Sequence, residues 1–170
     1  MKIGVLSDTH DNVAATEAAM DTFEGERVET AVHCGDFISP PLVPFLDRDG
    51  IEVHAVRGNN DGEREGLIDA FDALDNGTLH GRFGELEFDG RTFAILHGEQ
   101  KPVIEALATS GEYDYVLHGH WHVREERAVG DTIVVNPGAH FPTVPEENRT
   151  VAIVETDSDT VEFHGIEASK

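Results

Sequence analysis

Ile3-Gly4-Val5-Leu6-Ser7-Asp8-Thr9-His10 is the stretch that decides the fold. It is a short apolar run that stops on a carboxylate and an imidazole, and a run of that length reads as a buried strand rather than a helix. Four more stretches repeat the pattern. Ala31–Cys34 leads into Gly35-Asp36, and Val53–Val56 into Gly58-Asn59-Asn60-Asp61. Phe93–Leu96 leads into His97-Gly98, and Tyr115–Leu117 into His118-Gly119-His120-Trp121-His122. Open α/β sheets gather their functional groups at the carboxyl ends of their strands. Five separated motifs therefore predict one pocket that holds Asp8, His10, Asp36, Asn59, His97, His120 and His122.

The intervening sequence supplies the rest of the architecture. After Asp11-Asn12, Val13, Thr16, Met20 and Phe23 fall on one face of a helix that stops at Gly25. Ser39-Pro40 predicts the start of a second helix, closed by Gly50. A third is expected over Glu63–Leu74, interrupted by Gly66. Beyond it the pattern changes to hairpins: Arg82–Phe88 with Arg91–Leu96 about Asp89-Gly90, Val123–Val129 with Thr132–Val135, and Thr150–Glu155 with Thr160–Ile166. One helix, opened by Lys101-Pro102 and running to about Ser110, interrupts them. Early βαβ units followed by hairpins predict an α/β (α+β) fold of two packed mixed β-sheets flanked by helices. At 170 residues the expectation is a single domain over residues 1–170.

Asp and Glu number 34 against 12 Lys plus Arg, a net charge of −22, and the only lysines are Lys2, Lys101 and Lys170. Asp8 and Asp36 are the only carboxylates in the predicted pocket, so ligand duty does not explain the excess. The acids are spread along helix faces and loops, as in Glu24, Glu26 and Glu29 or Asp69, Asp72 and Asp75. A dispersed acidic, lysine-poor surface resembles proteins that work in molar salt, where the Debye length falls to about 3 Å and self-repulsion is screened. That reading predicts loss of structure at low ionic strength. With no patch of Lys and Arg among aromatics, nucleic acid is not an expected partner.

No apolar stretch approaches the ~20 residues needed to cross a bilayer, and Ile3–Leu6 lacks the flank of a cleaved signal peptide. Neither membrane association nor export is expected. A lone cysteine, Cys34, excludes an internal disulfide and suits a reducing cytoplasm. It reads as a small buried hydrophobe in preference to a redox group or ligand. A homo-oligomer stays open, although no interface stripe is visible.

Within the pocket the motifs differ in weight. Asp8-Thr9-His10 sets a carboxylate and an imidazole two residues apart, on one side of an extended segment. Asp36 has two oxygens with which to bridge two cations. Asn59 is a neutral oxygen ligand for hard ions, though Gly58-Asn59-Asn60-Asp61 would also make an ordinary turn. His97 taken alone would suit a satisfied core histidine. Gly119-His120-Trp121-His122 is the most specific, because with His118 it places three histidines in five residues. Together these groups describe a two-metal hydrolytic site. A mixed nitrogen and oxygen set without thiolate suits Mn, Fe, Zn, Co or Ni.

The order Asp-x-His, Gly-Asp, Gly-Asn-x-Asp, His-Gly, Gly-His-x-His, followed by Asn136-Pro137-Gly138, resembles the calcineurin-like metallophosphoesterases over the whole chain. The likeness is to their small single-domain phosphodiesterase branch. It implies that Asp8, His10 and His122 hold a first divalent cation, that Asn59, His97 and His120 hold a second, and that Asp36 bridges them. Two divalent ions, Mn first, are the implied cofactors. Cations about 3.5–4 Å apart turn a shared water into hydroxide near neutral pH, which attacks phosphorus in line without a protein nucleophile. Ser7 and Ser39 have no evident Ser-His-Asp partners.

Two departures from the family pattern bear on substrate. Asn60 stands where many members carry a histidine that contacts the phosphate or protonates the leaving group, and an amide donates a hydrogen bond but no proton. Ala139 stands where relatives often have Ser. Asn60, Arg57 and His118 are expected to steady the phosphoryl oxygens of a small phosphate ester. The expected activity is that of a phosphodiesterase. A phosphomonoesterase using the same site and a non-catalytic interaction scaffold of the same fold are the alternatives. The complete ligand set argues against the scaffold.

Overall fold

The computed structural model describes residues 1–167. In chain order the elements are β1 (Lys2–Leu6), α1 (Val13–Gly25), β2 (Thr30–His33), β3 (Glu52–Ala55), α2 (Arg64–Asp72), β4 (Gly77–Leu79), β5 (Phe83–Phe88) and β6 (Arg91–Leu96). There follow α3 (Lys101–Thr109), β7 (Tyr115–Leu117), β8 (Glu125–Val129), β9 (Thr132–Asn136), β10 (Thr150–Glu155) and β11 (Thr160–Gly165). A six-stranded sheet has the order β11-β10-β1-β2-β3-β4 and a five-stranded sheet the order β5-β6-β7-β9-β8. Both are mixed. The strands β1 to β4 run parallel, as do β6, β7 and β9, with antiparallel partners at the margins. This is the two-sheet sandwich that the sequence predicts.

Alternation along the strands builds two interfaces at once. Ile3, Val5 and Val32 point between the sheets to meet Phe93, Ile95, Tyr115 and Val135, where the Phe93 and Tyr115 rings stack at 4.7 Å. Leu6 and Val53 point outward and are covered by Met20 and Phe23 of α1 and by Leu67 and Phe71 of α2. On the far side Ile104 and Ala108 of α3 cover Ala94, Val116 and Val134.

The register positions the site. Leu6 lies beside His33 and His33 beside Ala55. In the second sheet Ile95 lies beside Leu117 and Leu117 beside Val135. The parallel strands of each sheet thus end level, and the loops that follow them emerge along one edge.

One expected helix is replaced. Residues 40–46 form a 3₁₀ turn rather than a helix running from Ser39 to Gly50. Pro40, Pro41 and Pro44 each remove an N–H donor, and an α-helix does not propagate through such spacing. The Ser39 hydroxyl bonds Asp11 Oδ1 at 2.6 Å instead of capping. The strand β4 was not expected, since three residues carry too little pattern to be read. No helix among the described residues is long and apolar enough to cross a bilayer.

Candidate metal centre

Asp8 lies two residues beyond β1 and ties two loops together. Its backbone N–H donates to Gly35 O at 2.9 Å. Oδ2 accepts from Ser7 Oγ at 2.6 Å and from the His120 backbone N–H at 2.9 Å, while Oδ1 lies 3.1 Å from His122 Nε2. Asp36, three residues beyond β2, accepts from Asn60 twice, at Oδ1 from the backbone N–H (2.9 Å) and at Oδ2 from Nδ2 (2.7 Å). His97 directly follows β6, with Nδ1 donating to Cys34 O at 2.8 Å, which turns Nε2 towards the carboxylates.

The imidazoles close around those oxygens. Asp36 Oδ2 lies 3.5 Å from His10 Nε2 and 3.3 Å from His97 Nε2. Asp8 Oδ1 lies 3.9 Å from His10 Nε2 and 4.0 Å from His97 Nε2, and His120 Nδ1 is 3.3 Å from His97 Nε2. In two sets, Asp8–His10–His122 and Asp8–Asp36–His97, one ligand atom per residue falls within 4.8 Å of the others.

Holding these groups strains the backbone. Asp8, His10, Asp36, His120 and His122 all have positive φ, at 53°, 44°, 62°, 67° and 56°. Non-glycine residues adopt that region rarely and keep it only where the surroundings over-determine it. Two glycines make room. A Cβ on Gly58 would lie 2.8 Å from Asp36 Cγ, and one on Gly119 would lie 2.5 Å from Asp8 Oδ2 and 2.8 Å from Ser7 Cβ.

Burial works to raise the Asp8 carboxyl, yet His10 and His122 hold it well below the usual range. Asp36 is held down in the same way by His10 and His97. In return Asp36, then Asp8, push His10 up to about 9, and His97 is raised against its own burial. Burial and the neighbouring His97 lower His120. The ion-pair partners of Asp8 and Asp36 are all histidines, with no Lys or Arg among the described residues. His10 Nε2 is buried and has no hydrogen-bond partner. Two anionic carboxylates and convergent imidazoles, with no Lys or Arg paired to them among the described residues, fit divalent metal ions.

A second ring of groups fixes the first. Asp61 Oδ2 accepts the backbone N–H of Asp36 and of Gly58. His33 is buried, stacked on Phe37 at 3.8 Å, and lowered by burial to about 3, so it is neutral. Its Nδ1 accepts from Gly35 N–H, so Nε2 donates to Thr9 Oγ1, 3.0 Å away and between two of the pocket residues in sequence. Phe141 packs 4.7 Å from the rings of both His10 and His122. The Asn136–Ala139 loop also reaches the site: Asn136 Nδ2 donates to Gly119 O, and the His140 N–H that follows donates to Asp8 O.

Six of the seven residues singled out by the motifs, Asp8, His10, Asp36, His97, His120 and His122, thus converge. Asn59 sits exposed in the adjoining turn, between Gly58 and Asn60. Arg57 is half-buried and donates its backbone N–H to Gly81 O. His118 departs from its expected role at the phosphoryl oxygens. It is buried, and its contacts are Gly119 O, Asn136 and Glu125. Sequence reasoning missed the roles of Ser7, His33, Asp61 and Phe141. Of these only Asp61 carried a signal, as the acid that closes the Gly58 turn.

The chain matches the calcineurin-like phosphoesterase superfamily domain over residues 1–159 and belongs to that family. It is therefore a metal-dependent phosphoric ester hydrolase by descent. A phosphodiesterase of Methanocaldococcus jannaschii is 36% identical over 160 residues, which cover 92% of this chain and 94% of that protein. A solved archaeal phosphodiesterase superposes with a TM-score of 0.88 at 35% identity, covering 98% of this chain and all (100%) of that one. A phosphoesterase from E. coli, at 18% identity and a TM-score of 0.68 over 98% of this chain and 100% of its own, shares the fold.

Proposed function

We propose that the chain is a phosphodiesterase in which Asp8, His10 and His122 hold one divalent cation, Asn59, His97 and His120 hold a second, and Asp36 bridges them. One observation carries this allocation. A single oxygen, Asp36 Oδ2, faces His10 at 3.5 Å and His97 at 3.3 Å, one imidazole from each ligand set. His122 lies on Asp8 at 3.1 Å, in keeping with the first set. Asn59 then has only to turn inward from the exposed Gly58 turn to complete the second.

Divalent cations held by these residues would supply a hydroxide nucleophile and offset phosphoryl charge. The protein's own groups do the rest. His97 is held by Cys34 O in the tautomer that leaves Nε2 free. His10, raised to about 9 by Asp36 and Asp8, would have to be neutral to serve as a ligand. The Asn60 amide, now on Asp36, is placed to turn and donate to a phosphoryl oxygen. Among the described residues no Lys or Arg pairs with Asp8 or Asp36, which supports diesters over the more highly charged monoester dianion. Manganese is the proposed metal, with Ni, Co, Zn and Fe suited to the same donors. The −22 charge supports a salt-adapted cytoplasmic enzyme acting on a small ester rather than on nucleic acid.

The test is hydrolysis of bis(p-nitrophenyl) phosphate beside p-nitrophenyl phosphate by chelator-stripped protein in about molar KCl, with Mn²⁺ restored or withheld. Metal-dependent turnover that favours the diester and is lost in Asp36→Ala and His120→Ala is the expected result. Faster monoester turnover would make the chain a phosphomonoesterase. No turnover with Mn, Ni, Co or Zn in folded protein would overturn the reading.

A further inference from the structure

The second cation site proposed above is divided between the two sheets. Asn59 lies in the turn after β3 of the six-stranded sheet, whereas His97 directly follows β6 of the five-stranded one. Ladder hydrogen bonds set distances within a sheet but not from one sheet to the other. The separation of these two residues therefore depends on contacts between loops, and Arg82 makes one of them.

Gly81-Arg82 is the turn that carries the chain from β4, at the margin of one sheet, to β5, at the margin of the other. Arg57 N–H donates to Gly81 O at 2.6 Å, which fastens this turn to the residue before Gly58. The Arg82 guanidinium then spans the gap. Nη1 donates to Gly58 O at 3.0 Å, and Nη2 donates to Glu99 Oε1, two residues beyond His97. A guanidinium presents its donors in a rigid planar fork, so one group fixes both partners at once.

Gly58 O belongs to the planar peptide that ends on Asn59 N. The next peptide, from Asn59 to Asn60, is held from the other side, where Asn60 N–H donates to Asp36 Oδ1 at 2.9 Å. Both peptides that flank Asn59 are thus pinned, one by the bridging carboxylate and one by Arg82. Gly58 cannot orient the first of them itself, because a residue without Cβ is permissive at its own torsions. With both peptides held, the inward turn of Asn59 is a side-chain rotation alone.

We infer that Arg82 is a positioning residue for the second cation: it holds the Gly58–Asn59 peptide and, through Glu99, the segment after His97, so that Asn59 and His97 face one ion. The assignment rests on the two-cation reading proposed above. Its sign is opposite to that of plain electrostatics. A guanidinium near a cation site repels the cation, so by charge alone the loss of Arg82 would tighten metal binding. Positioning requires that it weaken. Nor is the ion pair with Glu99 a fold-stabilising one, since the two side chains are 52% and 28% exposed.

Mn²⁺ binding to chelator-stripped protein in about 1 M KCl separates these effects. Equilibrium dialysis gives stoichiometry and affinity, and electron paramagnetic resonance detects exchange-coupled Mn pairs. The parent is expected to take up two equivalents. Arg82→Met should keep one at parent affinity and bind the other about 10–100-fold more weakly, with loss of the coupled signal and no change in the unfolding midpoint of metal-free protein. Arg82→Lys keeps the charge but not the fork and should resemble Arg82→Met. Glu99→Gln should weaken the same equivalent about threefold and add nothing in the Arg82→Met background, because it acts through the guanidinium. An unchanged or tighter second equivalent in Arg82→Met, parent-like binding in Arg82→Lys, or weakening of both equivalents with a lowered midpoint would each overturn the assignment alone. A parent that takes up fewer than two equivalents would remove the two-cation reading and this role with it.

Discussion

The Asp61 carboxylate holds the backbone of Asp36: Oδ2 accepts the Asp36 N–H at 2.9 Å and that of Gly58 at 2.7 Å, while Oδ1 accepts the Ile38 N–H at 2.9 Å. Asp36 has φ 62° and Ile38 φ 84°, so three charge-assisted bonds stabilise a turn that these residues would not adopt alone. In Asp61→Asn an N–H₂ would face N–H donors. Metal affinity should fall about 10–100-fold and stability by about 2–3 kcal/mol. Metal content after dialysis and the unfolding midpoint measure the two effects. Full metal occupancy with an unchanged midpoint would show that Asp61 only fills space.

Gly119 lies against the Asp8 carboxylate so closely that a methyl group would stand 2.5 Å from Oδ2. Gly119→Ala should therefore displace Asp8 or the His120 loop. The predicted outcome is a folded protein that loses the first cation, with turnover down about 100-fold or more. Circular dichroism, metal analysis and diester hydrolysis separate that result from simple unfolding. A variant that keeps two metal equivalents would contradict it.

Cation uptake should release protons. His10 is pushed up to about 9 by Asp36 and Asp8, from an ordinary 6.5, so in metal-free protein it is charged at pH 8. Mn²⁺ requires the neutral ring, and about one proton should appear in an unbuffered titration at pH 8. That release should vanish well above pH 9. The linked stability has a definite sign: because the folded value lies above the unfolded one, the His10 contribution is complete below about 6.5 and is lost as pH rises through about 9. Metal-free protein should thus weaken above pH 9, and metal-loaded protein should not.

The apolar runs were legible because burial on both faces leaves a strand no other composition, and the ligands were legible because they stand directly after those strands. Asp8, Asp36, His97 and His120 could be placed together from sequence for that reason. The 3₁₀ turn at residues 40–46 was not, since Ser39-Pro40 opens a helix and a 3₁₀ turn alike. His33 was invisible because its role depends on a contact across 24 residues, with Thr9. His118 misled by adjacency. It follows β7 beside Gly119, but its ring turns to Glu125, away from the two imidazoles that come after it.

Salt should control folding, and Cys34 reports it. The thiol is fully buried and burial pushes its pKa up, so it is inert in the native state. In about 2 M KCl, where the Debye length is below about 3 Å, a thiol reagent should react only after denaturant is added. Dilution to about 50 mM salt should expose Cys34 as the −22 charge repels itself. Slow reaction at both salts, with unchanged circular dichroism, would remove the salt-adapted reading.

Asn60 sets how the enzyme handles poor leaving groups. It touches Asp36 through both its backbone N–H and its amide, and neither group delivers a proton near neutral pH. The leaving alkoxide must then depart largely unprotonated. Single-turnover rates should fall steeply as leaving-group pKa rises, with nitrophenyl esters far ahead of alkyl esters. Asn60→His keeps the backbone bond to Asp36 Oδ1 and adds an imidazole able to act as general acid, an effect of about 10²-fold for proton transfer. That gain should appear for alkyl esters and be small for nitrophenyl esters, which flattens the dependence. Equal single-turnover rates across leaving groups in the parent protein would mean that a proton already reaches the departing oxygen from elsewhere, and would overturn this reading of Asn60.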